Sequence, residues 1–297
     1  MPVMKNPVVS FARFLSLAFV AIALAACATH STDNSASAAA PAEPPFVPQP
    51  AANPPARQEW PVTTSDEPPG PRENPAIMPA PQGGRGYQAQ HESYVALAQK
   101  GDIDLLFVGD SITDFWHTRG KEVWDHYYGN LKAANFGINA DRTQNVLWRL
   151  QNGEGQGFSP KAIVLLIGTN NTGILSRSPS AFPSGWRNTN AEAVEGVTAV
   201  VNELRKDFPS AKILLLSIFP RGDDVIAEWQ IPQINAAISK LDDGKHVFYL
   251  DVTKKFLGPD GQINPELFQL ADRLHPTPEG YVVWAEAMKP LLTKLMK

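Results

Sequence analysis

Cysteine is nearly absent: the 297-residue chain holds one, Cys27. A domain with a single thiol has no internal disulfide, so its stability rests on its core. Basic residues are not in excess either. Lys and Arg total 26 against 30 Asp and Glu, a net charge of −4, and no basic block stands out. A nucleic-acid partner would leave an electrostatic footprint that is missing here. Metal-ligand spacing is also lacking. His117 and His126 lie nine apart with Asp114 and Asp125 nearby, which fits no zinc motif and reads best as a solvated helix face. There is no internal repeat and no obvious apolar lid. Long hydrophobic runs are scarce: residues 14–26 are apolar apart from Ser16, too short to span a bilayer comfortably.

That run has the form of an export signal, with Lys5 and Arg13 at its head and small residues at its end. The ending Leu24-Ala25-Ala26-Cys27 resembles a bacterial lipoprotein box. The resemblance implies that residues 1–26 are a signal peptide and that Cys27 becomes the lipidated first residue of an exported protein. The bland alternative is an ordinary signal cut nearby, with Cys27 incidental. Ala28, where some lipoproteins carry Asp, leans towards outer-membrane anchoring under the same resemblance. Residues 27–86 are rich in Pro, Ala, Ser and Gly, with Pro44-Pro45, Pro54-Pro55 and Pro68-Pro69 pairs. Such a stretch buries too little apolar area to offset its ordering entropy. It is expected to be a disordered, proline-stiffened spacer.

Residues 87–297 read as one domain. Apolar runs at 105–108, 133–136, 163–167, 213–218 and 247–250 predict strands. Helical patterns fall between and after them, at 191–208, 231–241 and 278–295. Strand–helix alternation predicts an α/β domain of three layers around a parallel, five-stranded sheet. Sites in such sheets form beyond the carboxyl ends of the strands. Ser111, Gly137 and Asn170 each follow a predicted strand directly, so they converge on that edge. Trp116, Trp124, Tyr127 and Tyr128 have helical spacing and read as core packing more readily than as sugar-stacking groups. Trp148 and Trp284 are assigned to packing.

Four short segments at that edge carry chemistry. Gly109-Asp110-Ser111 offers an exposed hydroxyl at a strand-to-helix turn, although alone it reads as a helix cap. A serine needs a base, and the base an orienting acid. His275 follows Asp272 by three residues, and Pro276 disfavours helix at the histidine. The carboxylate can then accept from Nδ1–H and leave Nε2 for the serine. Gly137 can bring a backbone N–H close to a developing oxyanion, and the Asn170 amide can donate from the loop after the third strand. Each signal alone is weak.

The ordered set resembles the SGNH hydrolases, also called the GDSL esterase/lipase family. Ser111, Gly137, Asn170 and His275 match its four letters, and Asp272 its acid. Within it the chain is most similar to the branch of the intracellular platelet-activating-factor acetylhydrolase catalytic subunits. The residues that carry this are Phe107-Val108-Gly109-Asp110-Ser111-Ile112-Thr113, Asn135-Phe136-Gly137-Ile138, Val146-Leu147-Trp148-Arg149-Leu150, Gly168-Thr169-Asn170-Asn171 and Phe219-Pro220-Arg221-Gly222. The resemblance implies a flavodoxin-like sheet, no metal and no cofactor. It implies that Ser111 is the nucleophile, His275 the base and Asp272 its orienter. Ser111 N–H, Gly137 N–H and the Asn170 amide would make the oxyanion hole.

The expected function is hydrolysis of short, acetyl-like esters on a carbohydrate or other cell-envelope substrate. Two alternatives stay open: a lysophospholipase or acetylhydrolase-like lipase, and a non-catalytic envelope binding protein on an esterase scaffold. Acyl transfer uses the same residues. Residues 172–189, with Phe182, Pro183, Trp186 and Arg187, form a longer loop than the acetylhydrolase branch carries. It reads either as a substrate flap or as a variable surface loop. Arg221 follows a strand, so it lies on or near the functional edge. The expected partners are the ester substrate and a membrane reached through Cys27, with no nucleic acid; oligomeric state is left open.

Overall fold

The computed structural model describes residues 73–84, 86–174 and 187–297. The segment expected to be an export signal, Cys27, the expected spacer up to residue 72, and Phe182, Pro183 and Trp186 of the long loop lie outside the described residues. Among the described residues no helix is long and apolar enough to cross a membrane.

The five strands are β1 (Leu105–Gly109), β2 (Ala133–Gly137), β3 (Ala162–Leu166), β4 (Lys212–Leu216) and β5 (Val247–Leu250). All pair in parallel, in the order β2-β1-β3-β4-β5. Both β1 and β3 are buried along their full length, which is why their sequences run apolar without alternation. The winding direction reverses between β1 and β3, so a crevice opens beyond their carboxyl ends.

Successive side chains of the sheet feed two cores. Leu106, Val108, Ile163, Leu165, Ile213 and Leu215 face α1 (Tyr87–Gln99), α4 (Thr143–Arg149), α5 (Asn190–Asp207) and α6 (Val225–Ile238). Leu105, Phe107, Val164, Leu166, Leu214 and Leu216 face α2 (Ser111–Asp114), α3 (Lys121–Tyr128) and α7 (Pro278–Leu295). This is the three-layer α/β architecture expected. Trp116, Tyr128, Tyr281 and Trp284 pack ring against ring in the second core. The aromatics of 116–128 and Trp284 are thus packing groups, as their spacing suggests.

Helix ends follow local chemistry. Thr189 and Glu192 cap α5 reciprocally, with Glu192 N–H donating to Thr189 Oγ1 and Thr189 N–H to Glu192 Oε2. Asp224 Oδ1 accepts from Ile226 and Ala227 N–H to start α6. That start lies six residues ahead of the expected 231, because Pro232 inside α6 imitates a first-turn proline. The polar sequence of α1 gives little aliphatic periodicity; its buried face is Tyr87, His91, Tyr94 and Ala98.

The domain also begins earlier than residue 87. Ala76 is fully buried, and its carbonyl accepts from Thr143 Oγ1 at 2.7 Å. Asn145 Nδ2 donates to Ala80 O, and Gln82 Nε2 reaches Asp141 Oδ1. Residues 73–84 therefore belong with the domain and not with the spacer to which composition assigned them.

Candidate active site

β1 ends at Gly109, and the chain turns sharply into α2. Asp110 makes the turn: its Oδ1 accepts from Ile112 N–H at 3.0 Å. Ser111 is the first residue of α2, so its N–H has no helical acceptor. Its hydroxyl donates to His275 Nε2 across 2.9 Å, and His275 Nδ1–H donates to Asp272 Oδ2 across 2.8 Å. The three residues that the motifs singled out thus form one continuous relay.

The acid–histidine segment is held by its own backbone. Asp272 Oδ1 accepts from both Leu274 and His275 N–H at 3.0 Å. Gln269 N–H donates to His275 O, and Gly222 N–H to Arg273 O. Arg273 takes the left-handed conformation, φ 45°, which reverses the chain between acid and base. Burial pushes the Asp272 carboxyl up, but the N–H bonds from His275 and Leu274 and the His275 ring outweigh it, and the net shift is down. Asp272 is therefore an anion at neutral pH, which fixes the proton on Nδ1 and leaves the Nε2 lone pair for Ser111. The Phe115 ring packs 4.9 Å from the His275 ring, centre to centre.

Gly137 ends β2 directly beside α2. A Cβ there would collide with the backbone of Asp114 and Thr113, so only glycine permits this approach. Its N–H is already engaged: it donates to Asn135 Oδ1 at 2.9 Å, while Asn135 Nδ2 donates to Thr113 O at 2.8 Å. An oxyanion at this donor must share or displace the Asn135 carbonyl. Gly168, at φ 120°, turns the chain into Thr169-Asn170-Asn171. Asn170 is partly buried, and its Nδ2 gives one hydrogen to Asp141 O at 3.0 Å; the amide has a second hydrogen to donate. Asn171 is fully buried and ties this turn to Thr143 and Asn188.

Residues that the motifs left without a role support these donors. Arg149, 1% exposed, reaches the Ser111 and Gly137 segments directly, and the third donor only through Asp141, whose carbonyl holds Asn170. Its Nη2 donates to Phe136 O at 3.1 Å and Gly109 O at 3.4 Å, and its Nε to Asp141 Oδ2 at 2.8 Å. Its Nη1 pairs with Glu154, whose other oxygen meets His91 Nδ1 at 2.7 Å. Burial lowers the guanidinium pKa, but Glu154 and Asp141 more than reverse this, so Arg149 stays charged. A lone cation inside the apolar run Val146-Leu147-Trp148-Arg149-Leu150 was the available signal. Arg221 is a second support: its Nη1 donates to Thr169 O at 3.1 Å, and Asp223 pairs with its Nε and Nη2 at 2.6 Å. Among the described residues no three His, Cys, Asp or Glu side chains gather as a metal site would need.

The GDSL-like Lipase/Acylhydrolase family profile matches residues 107–283. Human platelet-activating factor acetylhydrolase IB subunit alpha1 is 31% identical over 231 residues, covering 75% of this chain and 92% of its own. The rat alpha2 subunit is 32% identical over 233 residues, with coverage of 75% and 93%. Among solved structures, a GDSL-like lipase from Bacteroides thetaiotaomicron superposes with a TM-score of 0.55 at 21% identity, covering 70% of this chain and 97% of its own. An acetylxylan esterase from Geobacillus stearothermophilus gives 0.50 at 17%, with 66% and 94% covered. By the family match and the identity to the acetylhydrolase subunits, the chain belongs to the GDSL-like lipase/acylhydrolase family, the SGNH hydrolases, and is a carboxylic ester hydrolase.

Proposed function

We propose that the protein is a serine esterase that removes short acyl groups, acetyl above all, from carbohydrate or a related envelope molecule. Ser111 Oγ attacks the ester carbonyl as His275 Nε2 takes its proton. The tetrahedral oxyanion is met by Ser111 N–H, Gly137 N–H and the Asn170 amide. Such donors typically contribute about 10²–10³ in rate each. The imidazolium formed is stabilised by Asp272 and returns the proton to the leaving alcohol. Water then attacks the acyl-enzyme with His275 again as base, giving a carboxylic acid and free Ser111.

The observation that carries this reading is the unbroken Ser111–His275–Asp272 relay. A binding protein on the same scaffold would have no use for it. The acetyl preference rests on the acetylhydrolase relatives, and the carbohydrate on the export proposed below. The same relatives favour a second reading, a lipase acting on a phospholipid-like ester.

Hydrolysis of p-nitrophenyl acetate, butyrate and palmitate by the full chain, beside Ser111→Ala, tests this. Turnover favouring acetate and lost in the variant is expected. Equal rates for the two proteins would sink the Ser111 mechanism, and a preference for palmitate would support the lipase reading. We further propose export and a lipid anchor on Cys27. Labelled palmitate should enter the wild type and not Cys27→Ser; label in both would overturn the anchor.

A further inference from the structure

The turn that carries Asn170 is surrounded by arginines. Arg221 is neutralised, since Asp223 grips it with two bonds of 2.6 Å. Arg142 and Arg187 are not. Arg187 is partly buried and gives Nη1 to Asn170 O at 3.2 Å. Its Nε is buried and meets no acceptor among the described residues. Arg142 follows Asp141, the residue whose carbonyl holds Asn170 Nδ2, and is also partly buried. Among the described residues neither guanidinium has a carboxylate partner.

The acids nearby are already engaged. Asp141 belongs to Arg149 at 2.8 Å. Asp223 belongs to Arg221. Asp224 accepts from the N-terminus of α6 and from Ile174 N–H at 2.9 Å. Burial lowers the pKa of both guanidiniums, and at Arg187 the charges of Arg142 and Arg221 add to this, against smaller opposing effects of Asp224 and Asp223. The residues on either side of Arg142 bond to Asn170 and Asn171, and Arg187 bonds to Asn170 O, so both cations stand on the same turn. Holding two like charges together, half out of water and with no carboxylate partner among the described residues, is unfavourable unless an anion completes the arrangement. An arginine fork suits a planar carboxylate or a phosphate.

We propose that Arg142 and Arg187 form an anion-binding subsite beside Asn170, and that the ester hydrolysed at Ser111 carries a carboxylate or phosphate group. The substrate class is an acylated acidic sugar or an acylated phosphate ester, not a neutral glycan. This rests on the serine-esterase reading of the site.

The test pairs charged and neutral esters of the same shape, using the full chain. O-acetyl galacturonate is set against its methyl ester, and acetylglycerol phosphate against acetylglycerol. Wild type should favour the charged member of at least one pair by tenfold or more in kcat/KM, and the pair identifies the anion. The double variant Arg142→Gln/Arg187→Gln should lose that preference, and Arg142→Lys/Arg187→Lys should keep most of it. Equal turnover within both pairs, or a preference that survives in the Gln variant, would overturn the subsite. Calorimetric binding of galacturonate and glycerol phosphate separates the two ideas. Binding by wild type that the Gln variant loses supports the subsite even if Ser111 proves inert. No binding of either anion by wild type overturns it even if neutral esters are hydrolysed.

Discussion

Replacing Asp110 with asparagine should change how stability depends on pH. Asp110 is fully buried; Oδ1 caps α2, and Oδ2 has no partner among the described residues. Burial, only partly offset by the Ile112 N–H, pushes its carboxyl up from 3.8 to about 7. In the unfolded chain it titrates as an ordinary aspartate. Below the unfolded value both states are protonated, and this stabilising difference is fully present. As pH rises, the unfolded chain ionises first, the native state holds the extra proton, and stability falls until the native carboxyl also ionises. A rise of this size corresponds to about 4 kcal/mol lost between roughly pH 4 and pH 8. Asp110→Asn keeps the acceptor for Ile112 and removes the ionisation. Urea unfolding of both proteins across that range should show the difference growing in the variant's favour by about 4 kcal/mol. Asp207, whose carboxyl burial raises to about 6, behaves alike in both proteins and cancels. Parallel curves would refute the reasoning, because they would mean that the native state solvates an Asp110 charge despite its burial.

Asp272→Asn removes the anion that fixes the His275 tautomer; kcat on p-nitrophenyl acetate should fall by about 10³–10⁴, and a loss under tenfold would contradict the orienting role. Gly137→Ala drives a methyl group into the backbone of Asp114, so β2 and α2 must part. Steady-state kinetics should show a drop of about 10²-fold together with a lower melting temperature. Arg149→Met strands Asp141 and Glu154, each 1% exposed or less. It should destabilise the fold by about 3–5 kcal/mol, read from denaturant midpoints; a change below about 1 kcal/mol would show that the network is not a support.

The strands were legible because a parallel sheet covered on both faces demands uninterrupted apolar runs, and among the described residues no helix imitates Ile163-Val164-Leu165-Leu166. The nucleophile, base and acid segments were legible for a related reason: each must follow a strand end, so position and residue type agree. α1 was not, since its buried face is built from tyrosines and His91 instead of aliphatics. The packing of residues 73–84 was hidden by their prolines, which fit a surface strap as well as a spacer. The supports of the donors escaped because they act across elements. Nothing in sequence joins Arg149 to Gly109, forty positions earlier, or Asn135 Oδ1 to the N–H two residues on as a constraint on chemistry.

The way Arg149 is installed divides the site into two regions of unequal resistance to local opening. The oxyanion side hangs on a fully enclosed cation whose partners lie in β1, β2 and the turn after β2, so it opens only with the central sheet. The acid–histidine side hangs on the 269–277 loop, held by backbone bonds near the surface, and Leu270 there is 82% exposed. Segments of that kind open well below the global unfolding free energy. On warming, His275 should leave Ser111 while the oxyanion donors are still in place. Activity would then fade before the core melts, and would return on cooling without any refolding of the sheet.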